Sequence, residues 1–151
     1  MNTFDLLVEY RLEFLHGLWV TTKMCLLIWS IGIIAGSSLA VAGAKWKKTI
    51  GTSSKIASFI LGGIPILVFL FWMHYPMQAI LNVVIDPFVT AVATFSVVNT
   101  FLVADLIRGV LNDFPTQYIS AAQAYGLTHR DTILHIQFPM ILRQVLPNLL
   151  F

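Results

Sequence analysis

The sequence predicts an all-α fold, a multi-pass transmembrane helical bundle, and three observations carry that expectation. Of the 151 residues, 58% are hydrophobic and 11% charged, with a mean hydropathy of +0.83. Soluble domains carry roughly 25% charged residues, and a chain with so few could not cover a soluble surface. The charges are also widely spaced: Lys23 and Lys45 enclose 21 residues free of Asp, Glu, Lys and Arg, Lys55 and Asp86 enclose 30, and Asp86 and Asp105 enclose 18. A helix needs about 20 apolar residues to cross the hydrocarbon core, so spans are expected near 18–44, 56–81 and 87–108. These runs are too long for barrel strands and do not alternate apolar with polar residues as such strands must.

The segment before the first span holds Asp5, Glu9 and Glu13 against Arg11. That is not the basic leader of a signal peptide, so insertion is expected through the first helix itself. Within that helix, Gly32, Gly36 and Gly43, with Ala35, Ser37, Ser38, Ala40 and Ala42, supply the small residues that let helices approach closely in lipid. This span should pack against another. Cys25, the one cysteine, excludes an internal disulfide and a cysteine metal cluster; it reads as a small packed or lipid-facing side chain.

Orientation follows from the basic residues. Lys45, Lys47, Lys48 and Lys55 crowd the loop between the first two spans, the loop around His74 to Asp86 has no Lys or Arg, and Arg108, Arg130 and Arg143 follow the third span. Lysine and arginine are retained on the cytoplasmic side. Segment 1–14 is therefore expected outside the cell, and 109–130 inside. The net charge of +2 is not arranged as the basic stripe a nucleic-acid partner requires. The lipid bilayer is the expected surrounding.

Gly62, Gly63 and Pro65 fall early in the second span and should weaken or kink it. Such irregular backbone is tolerated at membrane depth only where protein or a water-filled cavity covers it; either a packing kink or a break lining a pathway fits, which makes Gly63 and Pro65 pathway candidates. Trp72, His74 and Tyr75 suit an interfacial aromatic belt. Asn99, inside the third span, suits a bond across helices or contact with a substrate. Asp105 and Arg108, at i,i+3, can pair on one helix face; Asp105 is also an intramembrane charge, of the kind found near substrate paths.

After the third span, residues 117–127 read as a short, Ala-rich helix opened near Pro115 and closed by Gly126. It is too polar and too short to span. Ala121, Ala122 and Ala124 leave little bulk, so it suits a groove on a soluble partner. Thr128, with Asp131 three residues on, reads as an N-cap, starting another helix at about residue 129.

The spacing of Gln117, Ser120-Ala121-Ala122, Gly126-Leu127-Thr128, Phe138-Pro139 and Leu146-Pro147 resembles the cytoplasmic signature of ABC importer permeases. Upstream, Gly17-Leu18-Trp19-Val20-Thr21-Thr22, Gly63-Ile64-Pro65-Ile66-Leu67-Val68 and Ala104-Asp105-Leu106-Ile107-Arg108-Gly109 resemble the polar amino acid branch. The resemblance runs from about His16 onward and implies the type I permease fold in a bacterial cytoplasmic (inner) membrane. Ser120 stands where the family's Glu usually lies, Gly62 where Arg does, and Asp105 where Glu does. In this family two permease subunits form the pathway and a soluble substrate-binding protein delivers substrate outside. Each permease docks a coupling helix on an ATPase subunit, and the resemblance carries that role to Gln117, Ser120, Ala121, Ala122, Gly126, Leu127 and Pro139. It further implies a fourth span that starts near residue 129, is interrupted by Pro139 and Pro147, and is still incomplete at Phe151, so a partial permease is expected.

No Gly-x-x-x-x-Gly-Lys-Ser/Thr phosphate loop occurs in the chain, so the ATPase is expected on another chain and no cofactor is implied. His129 and His135 lack the i,i+4 spacing of a helical metal pair, and no nucleophile, base and orienting group converge. The rival readings are a membrane subunit that only packs with other permeases and an intramembrane enzyme using Asp105 and a histidine.

Overall fold

A computed structural model describes residues 10–150. Expectations for residues 1–9, and for Phe151, lie outside the described residues. Every regular element among them is helical.

The first helix, α1 (Arg11–Lys45), has 35 residues and a length of about 52 Å at 1.5 Å per residue. It exceeds the roughly 30 Å hydrocarbon core and begins seven residues before the apolar run that suggested a start at residue 18. Apolarity sets how deep a helix sits, but backbone hydrogen bonding continues past the interface without it. Hydroxyls inside the helix are returned to its own carbonyls: Thr21 Oγ1 donates to Gly17 O at 2.9 Å, Thr22 Oγ1 to Leu18 O at 2.8 Å and Ser38 Oγ to Ile34 O at 2.8 Å. Such back-bonding satisfies a polar group where no water is available.

A π-turn (Lys47–Gly51) reverses the chain into α2 (Thr52–Gly63). The stretch read as one span, 56–81, is not straight. Its two halves, Lys47–Gly63 and Ile66–Leu81, are bent by 99° at the break. Ile64 and Pro65 adopt extended ψ values of 125° and 126°, because Pro65 disfavours the α conformation in the residue before it and cannot donate to the preceding turn. Beyond the break lie α3 (Ile66–His74) and the single-turn α4 (Pro76–Leu81). Asn82 closes α4 with φ 53°, a left-handed conformation that asparagine tolerates.

The central element is α5 (Pro87–Asn112), which packs along α1 and also meets α2, α3 and α8. Asp86 caps it, Oδ1 accepting from Phe88 N at 2.9 Å and Val89 N at 3.3 Å, with Pro87 at the first helical position where its missing N–H costs nothing. On the α1–α5 seam, buried Gly32 and Gly36 lie against Asn99, Thr100 and Val103, while buried Gly43 lies against Gly51 of the π-turn. With no hydrophobic force between helices in lipid, such close backbone approach supplies the packing.

After α5 come α6 (Thr116–Ala124), α7 (His129–Thr132), a π-turn (Ile133–Gln137) and α8 (Phe138–Leu150). Contrary to the expected interruption at Pro139 and Pro147, helical backbone runs through both. Pro139 is the second residue of α8, and the wider π-turn stands immediately before it, where an α-turn would bring the proline ring against the carbonyl four residues back.

Candidate functional site

The segment that joins α5 to α7 is shaped at both ends by its own sequence. Asp113 closes α5, Phe114 is buried, and Pro115 precedes α6. Phe114 and Tyr118, four residues on, bring their ring centroids to 6.3 Å. Ala122 is 3% exposed and faces inward, whereas Gln117, Ser120 and Ala121 are exposed and Tyr125 is 88% exposed. Of the residues the sequence singled out, α6 thus turns Gln117, Ser120 and Ala121 outward and Ala122 inward.

The end of α6 depends on Gly126. Its φ is +73°, Gly126 N donates to Gln123 O at 3.0 Å, and Leu127 N donates to Ala122 O at 3.0 Å. These two bonds are the paired closure of a Schellman motif, whose left-handed residue is usually glycine. A Cβ at Gly126 would meet nothing within 4 Å, so backbone conformation rather than bulk makes this position specific. Thr128 then caps α7, Oγ1 accepting from Asp131 N at 3.3 Å. Asp131 does not reach back to the N-cap amide as a glutamate would; its Oδ2 instead accepts from the Thr128 hydroxyl. Pro139, the remaining signature residue, lies in α8 and not on α6.

Asp105 and Arg108 form a clamp at the lysine-rich end. Arg108 Nη2 lies 3.2 Å from Asp105 Oδ1, with the arginine side chain 11% exposed and the aspartate 47%. The guanidinium also donates to Gly51 O at 2.6 Å and to Ser54 Oγ at 3.0 Å, and Asp105 Oδ2 accepts from Ser58 Oγ at 3.0 Å. The pair therefore ties α5 to α2 and to the first π-turn. It also places α6 at the same end of the bundle as Lys47 and Lys55, because Asn112, four residues before α6, shares a pocket with both lysines.

Asn99 bonds across helices, Nδ2 donating to Ile28 O at 3.3 Å. It also borders a groove of about 320 Å³ with Cys25, Trp29, Ile66 and Phe95, so Asn99 and the residue that follows the Pro65 break share one surface. Gly63 and Pro65 themselves are exposed.

One polar cluster escaped the sequence reading. Buried Gln78 donates from Nε2 to Thr90 Oγ1 at 3.1 Å and accepts from Ile85 N at 2.9 Å, while Thr90 Oγ1 donates to Asp86 O at 3.1 Å. His74 Nδ1 lies 3.1 Å from Gln78 Nε2 and 3.4 Å from Thr90 Oγ1. His74 also meets the Tyr75 ring edge-on at 4.8 Å, so it joins the aromatic group and the polar cluster together. The available signal was Gln78, an amide in an otherwise apolar run, with Thr90 and Thr94 one turn apart. Among the described residues, no three His, Cys, Asp or Glu side chains gather as metal ligands.

The described chain is a bundle of apolar helices interrupted by a short, outward-facing polar helix. The chain belongs to the family of binding-protein-dependent transport system inner membrane components, whose model matches residues 31–151. That family is one of transport permeases in the membrane, not of enzymes.

The chain is 30% identical over 147 residues to the histidine/lysine/arginine/ornithine transport system permease protein HisQ of Salmonella typhimurium, covering 89% of this chain and 64% of HisQ. It is 27% identical over 133 residues to the L-cystine transport system permease protein TcyB of Bacillus subtilis, covering 88% of this chain and 56% of TcyB. The glutamine transport system permease protein GlnP of Escherichia coli matches at 30% over 91 residues, 60% of this chain and 42% of GlnP. The chain thus spans less than two thirds of the length of these relatives. The fold matches a chain in the crystal structure of an amino acid ABC transporter with histidines at a TM-score of 0.83, with 24% identity, over 99% of this chain and 69% of that one.

Proposed function

We propose that this chain is a permease subunit of an ABC importer for polar amino acids, driven through α6 by a separate ATPase subunit. The observation that carries the coupling assignment is α6 itself. It presents Gln117, Ser120 and Ala121 to the exterior, has little side-chain bulk, and is stopped by the Gly126 turn. A helix of this kind suits a groove on a soluble partner. The relatives named for histidine, cystine and glutamine transport support amino acids as substrate.

In this reading a second permease subunit completes the pathway, and an extracytoplasmic binding protein delivers the substrate. The lysine-rich end, with α6 beside it, faces the cytoplasm, and the N-terminal segment lies outside. ATP-driven closure of the ATPase moves its clefts and the docked helices with them. This shifts the pathway between its two faces only if docking differs in energy between the two states. Asn99 and the break at Gly63 and Pro65 are the pathway candidates; Asp105 acts mainly through its clamp on Arg108.

The test is reconstitution in liposomes with the second permease subunit, the ATPase and the binding protein, combined with cross-linking from cysteines at Gln117 and Ala121. ATP-dependent uptake of a polar amino acid and cross-links to the ATPase are expected. Uptake without any cross-link from these positions would overturn the role of α6; absence of uptake with cross-links intact would overturn the substrate class.

A further inference from the structure

Where the lysine-rich end of α1 meets α2 and α5, a pocket of about 400 Å³ is lined by Lys47, Lys55 and Arg108, with Gly51, Thr52 and Asn112. Its charges are unevenly committed. Arg108 is held by Gly51 O, Ser54 Oγ and Asp105, although its Nε is buried without a hydrogen-bond partner. Asp105–Arg108 is the one ion pair among the described residues, so neither Lys47 nor Lys55 has a carboxylate within 4.0 Å. Thr52 Oγ1 already donates to Lys47 O at 3.1 Å, so the exposed donors of the lining without a side-chain partner are those of Lys47, Lys55 and Asn112.

The place of the pocket along the helices points to the class of anion. It lies at the end of a long apolar helix, next to Trp46, which is 51% exposed and carries Lys45 Nζ 5.0 Å from its ring centroid. Tryptophan and lysine concentrate at the headgroup level of a bilayer, and basic pockets between transmembrane helices hold anionic headgroups. We propose that this pocket binds the phosphate of an anionic membrane lipid, with Lys47 and Lys55 as its charged donors and Asn112 as a neutral one. The acyl chains then lie along the exposed apolar flank of α1 at Val41, which is 64% exposed.

The experiment titrates the lipid-free chain in non-ionic detergent with phosphatidylglycerol and with phosphatidylcholine of equal chain length, counting bound lipid by native mass spectrometry. Preferential binding of phosphatidylglycerol is expected. At the energy typical of a lysine near an anionic headgroup, Lys47→Gln and Lys55→Gln each weaken it about fivefold, and together about thirtyfold. Lys45→Gln with Lys48→Gln removes the same charge outside the pocket and should change affinity by less than about threefold. Both target lysines are exposed, and the single variants give a graded readout if the double variant loses helicity. Equal losses in the two double variants would replace the pocket with diffuse surface charge. Equal binding of both lipids would overturn the proposal outright. Inorganic phosphate that displaces the lipid, and binds alone with the same variant sensitivity, would overturn the lipid as the source of the phosphate.

Discussion

Gly36 on α1 lies so close to Val103 on α5 that a Cβ built on it would stand 2.7 Å from Val103 Cβ and 2.8 Å from the Thr100 carbonyl oxygen. Neither neighbour is the end of a flexible side chain, so the helices would have to part. Gly36→Ala gains about 1 kcal/mol in helix propensity and loses about 1–3 kcal/mol to overpacking. Gly17→Ala, where nothing lies within 4 Å, keeps the gain without the loss. Denaturant titration in micelles should therefore separate the two variants by about 1–3 kcal/mol, Gly36→Ala the weaker. Coincident unfolding midpoints would show that the seam is not tightly packed.

At Gly126 the constraint is the positive φ of 73°. Alanine there costs roughly 1–2 kcal/mol, whereas asparagine visits the left-handed region more readily. In the assembled transporter, Gly126→Ala should loosen the end of α6 and lower ATPase co-purification, with Gly126→Asn closer to the parent. Identical behaviour of the two variants would mean that the Schellman closure has no bearing on docking.

The Arg108 clamp is asymmetric. Asp105 is half-exposed, so Asp105→Asn should cost no more than about 1 kcal/mol, as exposed pairs do. Arg108→Gln removes the donor to Gly51 O and Ser54 Oγ from an 11% exposed position and should cost roughly 2–3 kcal/mol. Thermal unfolding of the two variants side by side checks the ranking, and a larger loss for Asp105→Asn would reverse the assignment of the anchor.

Orientation is tested by impermeant thiol labelling of intact cells after Cys25→Ala. Val84 is fully exposed in the Lys- and Arg-free loop, and Thr52 is exposed beside the lysines; Gln78 is unsuitable because its side chain is buried and bonded. Cysteine at Val84 should label and cysteine at Thr52 should not, as lysine-rich loops stay in the cytoplasm. The opposite pattern would place α6 outside and remove it from any contact with an ATPase.

The helical class was legible in the sequence because the spacing of charges along an apolar chain leaves few alternatives: an unpaired backbone polar group in lipid costs several kcal/mol. The family was legible too, since the Gly126 and Pro139 spacings depend on local backbone needs that sequence records directly. Gly126 shows this most clearly, as its left-handed φ is a property of a few consecutive residues.

Long-range partners were not legible. Asn99 announced a polar contact, but its acceptor, the Ile28 carbonyl, lies 71 positions away. Arg108 announced a pair with Asp105, whereas its shortest bond is to Gly51 O, 57 positions away and a backbone atom with no sequence signature. Pro65 marked a break but not its size: the 99° bend depends on what α3 packs against, and α3 packs against α5. By itself the sequence determined that this chain forms apolar helices and carries a short polar one between them. Only the tertiary structure decided which polar groups meet, because in a membrane each of them must find its partner on whichever helix packing brings within reach.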